Sequence, residues 1–259
     1  MFRWFWTIQG DLPDGLGFGK FTPAHFAMLA LCTLAVILLR RRFLSLPEAG
    51  RTHMLRVLAS TAGFMEAGKI LVLCVLGKMS TGYLPLHFCS FSLYAALLHA
   101  YQPDHGSRFA RLLGETFFVL LLPGAAAALL FPDWSFYPVL NFMCLYSFSW
   151  HTLVVCYPIL LLAGGRIRPS IRHIYAPMLF LAVLLPLILL FNLRFGTNYF
   201  FIMWPLKGTP FETMYRLFGG PVGWRVCYAV TVLLVVCAMY AALAAGTKIR
   251  SAVRRRGLP

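Results

Sequence analysis

The chain alternates long stretches of Leu, Ala, Val, Phe and Ile with short polar breaks. Seven such stretches occur, at about 24–39, 54–77, 83–101, 109–131, 137–163, 171–194 and 222–245. None shows the strict alternation of a barrel strand, and most reach the length of roughly 20 residues that a helix needs to cross a bilayer. The breaks carry turn chemistry: Pro47-Glu48-Ala49-Gly50, Gln102-Pro103-Asp104, Phe131-Pro132-Asp133 and Gly164-Gly165. The pattern predicts an all-α polytopic membrane protein, a seven-transmembrane-helix bundle over residues 24–245. An N-terminal arm (1–23) and a basic tail (246–259) flank it. No internal repeat is evident, which speaks against an inverted-repeat transporter.

Composition sharpens this picture. Hydrophobic residues make up 60% of the chain and charged ones 12%, against about half and about a quarter in a soluble domain. The net charge of +15 would suggest nucleic acid in a soluble protein. Here the basic residues gather at helix ends, so nucleic acid is not an expected partner and membrane lipids are. Fifteen Lys and Arg fall on the side of Arg40-Arg41-Arg42 and the C-terminal tail, and seven on the other. The positive-inside rule then puts the N-terminus outside and the C-terminus in the cytoplasm, as expected of a multi-pass protein of a bacterial cell membrane.

Some chemistries are set aside on spacing. The seven cysteines all lie in apolar stretches without metal-ligand spacing, so neither a metal site nor another cofactor is expected. The start of the chain has no apolar signal region. Its Gly15-Leu16-Gly17-Phe18-Gly19-Lys20 run fails as a phosphate loop, because Asp14 stands where the first glycine belongs. His99 and Asp104 fit an acyltransferase His-x4-Asp pattern, but two fixed residues astride a helix end and a proline turn are weak grounds for catalysis.

The candidate chemistry lies in polar groups at membrane depth, which are costly there and so point to function or to pairing. Glu66 and Lys69 share one face of the second stretch as an ion pair or a polar ligand site. Glu115 stands near the cytoplasmic end of the fourth, within reach of the interface. His87 and Cys89 occupy the outer end of the third, with Pro85 in its first turn, and His151 lies in the fifth. On a regular helix His87 and Cys89 point about 200° apart, so His151 is the better base for a cysteine nucleophile. The aromatic run 198–204 is expected to anchor at the interface.

Four blocks together resemble a known family: LPLHFCS (84–90), PGAAAALLFPD (123–133), SWHTLVVCYP (149–158) and GTNYFFIMWPLKGTP (196–210). Their order and spacing resemble those of YwaF-like bacterial membrane proteins. That family is distantly similar to a eukaryotic seven-helix lipid acyltransferase with an intramembrane cysteine. The resemblance covers about residues 83–245, and the stretch after Lys207 departs from it. It implies acyl transfer between phospholipids, with Cys89 as nucleophile, His151 as base and His87 assisting. It also assigns Asp133, Asn198 and Tyr199 to the site, beside Glu66 and Lys69. The alternative is a non-enzymatic transporter or small-molecule or lipid binder, in which the histidines, Glu66 and Lys69 form a polar site. A third possibility is a scaffold whose buried polar groups only specify packing.

Overall fold

The computed structural model describes residues 3–218 and 220–255. Among them the chain is all-α, with no strand. Six helices are long and apolar enough to cross a membrane. These are α1 (Pro23–Ser45), α2 (Glu48–Val75), the continuous rod of α4 (Arg108–Thr116) and α5 (Leu122–Leu130), α6 (Phe142–Ala163), α7 (Tyr175–Phe195) and α9 (Gly220–Arg255). The shorter α3 (Ser90–Tyr101) and α8 (Pro210–Phe218) complete the set.

Local chemistry sets the boundaries. Thr22 caps α1 by accepting the His25 N–H, and Pro23 follows at the first helical position. Asn141 caps α6 by accepting from Met143 N, at 2.8 Å. Its amide nitrogen also donates to the Trp4 and Thr7 carbonyls, tying the N-terminal arm to the start of α6. Helix α6 therefore begins at 142, after Pro138, and not at 137 as the hydropathy suggests. Between α4 and α5 a π-helical turn spans Phe117–Leu121, with Leu122 N donating to the Phe117 carbonyl. The wider turn absorbs Pro123, which lacks an N–H and would clash within a regular α-helix. Gly196, at φ 64°, ends α7 in the left-handed conformation.

Burial sorts the helices into two layers. In the α4–α5 rod and in α6, 56% of the spanning window is buried, against 11–17% in α1, α7 and α9. The rod and α6 thus form the centre, and the others turn rows of Leu, Val and Phe outward, as lipid-facing helices do. The arm packs over one end, where Phe18 N and Gly19 N donate to the Tyr137 and Ser135 carbonyls. A side chain at Gly17 would meet the Ser135 carbonyl oxygen at 2.4 Å, so this approach requires glycine. The arm's Gly-rich run is thereby spent on backbone pairing. At the other end, helix α9 continues through Arg255, and the tail residues 256–259 lie outside the described residues.

The third stretch departs from expectation. A helix over 83–101 is predicted, but α3 starts only at Ser90. Twelve residues reach about 18 Å, well short of a bilayer core of about 30 Å. Residues 84–89 precede it as irregular chain, after a single 3-10 turn at Thr81–Tyr83. Pro85 therefore lies in this unwound segment and not in a first helical turn.

Candidate functional site

An irregular backbone inside a membrane protein must find its hydrogen bonds within the protein. The unwound segment does so through side chains from α2, α3 and the turn after α7, and through its own His87. Tyr199 donates its hydroxyl to the Thr81 and Leu84 carbonyls. Lys69 Nζ donates to the Tyr83 carbonyl at 3.2 Å, and Tyr94 donates to that of Pro85 at 3.1 Å. His87 Nε2 lies 3.3 Å from the Gly82 carbonyl, and its ring meets Tyr199 edge-on. Two predicted site residues, Lys69 and Tyr199, thus hold the backbone that leads to Cys89.

Cys89 stands at the N-cap of α3. It packs against a cluster formed by Ala62, Leu93, Ala125, Trp150 and Val154. Those residues sit near the middle of α2, α5 and α6, so the thiol lies deep in the bundle. His151 is close by on α6. Its Nδ1 is 2.7 Å from the Ser147 carbonyl, which makes Nδ1 the donor and leaves Nε2 as the acceptor. The ring stacks on Trp134 at 4.7 Å and meets Trp150 edge-on at 5.3 Å. Both indole N–H groups are buried with no partner among the described residues.

Electrostatics bring the distant parts together. Asp133 interacts with both His87 and Cys89, and His87 with His151. Asp133 is solvent-accessible although protein atoms crowd round it. That crowding pushes its carboxyl above the usual carboxylate range, an effect His87 partly offsets. The charges at 87, 133 and 151 are thus within electrostatic range of one another in pairs. No hydrogen bond joins Cys89 to either histidine among the described residues.

Glu66 and Lys69 form a closed unit beside it. Lys69 Nζ is 2.5 Å from Glu66 Oε1, and Tyr146 donates its hydroxyl to the other carboxylate oxygen. The ammonium also lies 5.4 Å from the centre of the Tyr146 ring. Each charge is paired and hydrogen-bonded, as buried charges must be.

Asn198 is placed elsewhere. Its amide donates to the Trp204 carbonyl and accepts from Met203 N and Trp204 N, so it organises the loop after α7. With His87, Thr197, Tyr199 and Trp204 it lines an open cavity of about 420 Å³. The aromatic run is also not an interfacial belt throughout. Tyr199 and Phe200 are buried, whereas Trp204 is half exposed. Asn192 was not anticipated: this buried amide on α7 holds the Tyr199 backbone from both sides. A lone asparagine in an apolar stretch is the signal that marks it. Tyr94, Tyr146, Trp134 and Trp150 carry no such mark, because aromatic residues are common throughout the chain.

One other expectation changes, and another stands. Glu115 does not reach the interface but is buried, 2% exposed, and accepts from Ser170 N and Tyr240, with His173 Nδ1 at 2.9 Å. His99 lies 3.1 Å from the Tyr157 hydroxyl, and Asp104 accepts from Gly106 N, so neither member of the His-x4-Asp pair is free for the other. Among the described residues no group of His, Cys, Asp and Glu has metal-binding geometry.

Six long apolar helices among the described residues define a multi-pass α-helical membrane protein. A sequence model of the TMEM164 family matches residues 20–241, nearly the whole bundle. The chain belongs to the TMEM164 family. No curated protein and no solved structure matches it.

Proposed function

We propose that this protein is a membrane-embedded lipid acyltransferase that carries its acyl group on Cys89 as a thioester. The observation that supports this best is a thiol at the start of a broken helix, packed on Trp150 next to His151 and two residues from His87. In this reading residues 84–101 make a seventh crossing, with the arm outside and the basic end in the cytoplasm. The resemblance of blocks 84–90, 123–133, 149–158 and 196–210 to YwaF-like proteins supports the same assignment.

The chemistry follows from the groups present. Cys89 Sγ adds to the ester carbonyl carbon of a donor lipid while His151 Nε2 takes the thiol proton. The carbon–oxygen bond breaks, and the proton passes to the departing lysolipid oxygen. An acceptor hydroxyl then gives its proton to Nε2 and bonds to the carbonyl carbon, and the sulfur leaves and regains a proton. The unpartnered indole N–H groups of Trp134 and Trp150 are the donors available to the oxyanion. His87 and Asp133 bind and orient the polar part of the substrate, whose headgroup occupies the cavity beside Tyr199. Glu66 and Lys69 serve to position the unwound segment. Their complete pairing argues against the alternative of a polar transport pathway, which needs groups free to exchange partners.

The test is intact-mass analysis of the purified protein after incubation with phospholipid vesicles, with and without hydroxylamine. A hydroxylamine-labile acyl adduct that is absent from Cys89→Ala supports the proposal. An adduct that persists in Cys89→Ala, or none in a wild type that retains its fold, refutes it.

A further inference from the structure

At the opposite end of the bundle from the arm, a second cavity of about 590 Å³ lies between α4 and the turn after α6. Its walls include Arg108, Arg111, Arg166 and Arg168, with His105, against the single carboxylate of Glu115. That carboxylate is already engaged by Ser170 N, His173 and Tyr240.

Arg166 is the informative residue. Its side chain is 8% exposed. Nη2 is fixed by Glu48 Oε1 at 2.5 Å and by Thr52 Oγ1 at 2.6 Å. Nε and Nη1 are buried with no partner among the described residues, and so are both ring nitrogens of His105. Buried donors of a permanent cation are rarely left unmade, because their desolvation is not repaid. Topology signals alone need only exposed arginines. They do not require a guanidinium that is locked in place with two N–H-bearing atoms unused beside a cavity.

We propose that this cavity is a binding site for a phosphate-bearing anion, with Arg166 as its central ligand and Arg108, Arg111 and Arg168 around it. Arginine suits the oxygens of a phosphate group, and the volume is that of an ordinary small-ligand site. Two sources offer the same chemistry: a soluble phosphate, or the headgroup of an anionic lipid entering from the adjacent leaflet. The site is independent of Cys89, so the two proposals fail separately.

The full chain is purified in neutral detergent and tested in two arms. In one, thermal unfolding is followed with inorganic phosphate against chloride at matched ionic strength. In the other, native mass spectrometry measures retention of phosphatidic acid against phosphatidylcholine. Arg111→Gln/Arg168→Gln and Arg166→Lys are compared with Arg40→Gln/Arg41→Gln, which removes charge at the same end outside the cavity. Binding is expected to weaken about tenfold or more in the first two and to persist in the third. Stabilisation by phosphate alone identifies a soluble source, and selective retention of phosphatidic acid alone identifies a lipid. Neither effect in the wild type, or equal weakening in the control variant, overturns the site.

Discussion

Glu66 and Glu115 are both buried carboxylates on long helices, yet they leave opposite surroundings. Glu66 is balanced by Lys69, a permanent cation three residues away on the same helix, and by Tyr146. Its region is electrically closed. Glu115 is held by a backbone N–H, a tyrosine and a half-exposed histidine, all from other parts of the chain. No arginine pairs with it, although four line the same cavity. Where a carboxylate takes up its local cation, the pair serves structure. Where groups without a permanent charge satisfy it, the nearby arginines are left to other partners.

The largest expected effect follows from breaking the closed pair. Glu66→Ala strands a buried ammonium and should cost about 3–5 kcal/mol, measured by unfolding in detergent. The double variant Glu66→Gln/Lys69→Met should recover most of that loss, and a double as damaging as the single would contradict the pairing. Next in size, Glu115→Gln should cost about 1–3 kcal/mol, because one acceptor weakens and no permanent charge is orphaned. Tyrosine deletions come third. Tyr240→Phe should cost about 2 kcal/mol and Tyr146→Phe about 1, since Glu66 keeps its lysine whereas Glu115 has no lysine or arginine bonded to it. The reverse order would break the comparison. Trp150→Phe should cost only about 1 kcal/mol, from lost ring volume alone, because its indole N–H has no partner to lose among the described residues. Acyl transfer in the same variant should fall by about 10²-fold if that N–H serves the oxyanion.

Much of the fold is legible in the sequence, and the reasons differ between elements. The outer helices α1, α7 and α9 read directly, since lipid selects for apolar length and little else. The third stretch does not, because hydropathy is blind to backbone conformation. LPLHFCS is as apolar unwound as it is helical, and the evidence for unwinding lies in Lys69, Tyr94 and Tyr199, which hydrogen-bond its carbonyls. The four positions 87, 89, 133 and 151 stand out as rare polar residues in apolar surroundings. How they sit relative to one another depends on helix packing, which no local pattern encodes. Asn198 stands in a recognisable motif, but its amide organises its own loop, so a motif can mark a shape as readily as a reagent. The basic cavity was legible only as charge. In a sequence, arginines that set topology look the same as one whose N–H groups are buried and unused.

The clasp formed by Asn141 has a consequence for assembly. Its amide closes on the Trp4 and Thr7 carbonyls, 137 and 134 residues earlier in the chain. During synthesis the arm is made well before α6 and waits, unfastened, until α6 is in place to receive it. A segment made early is thus among the last to be seated. A bulky group attached to the arm would therefore be felt at the completion of the bundle and not at its beginning, as a late-stage intermediate whose arm stays open to proteases.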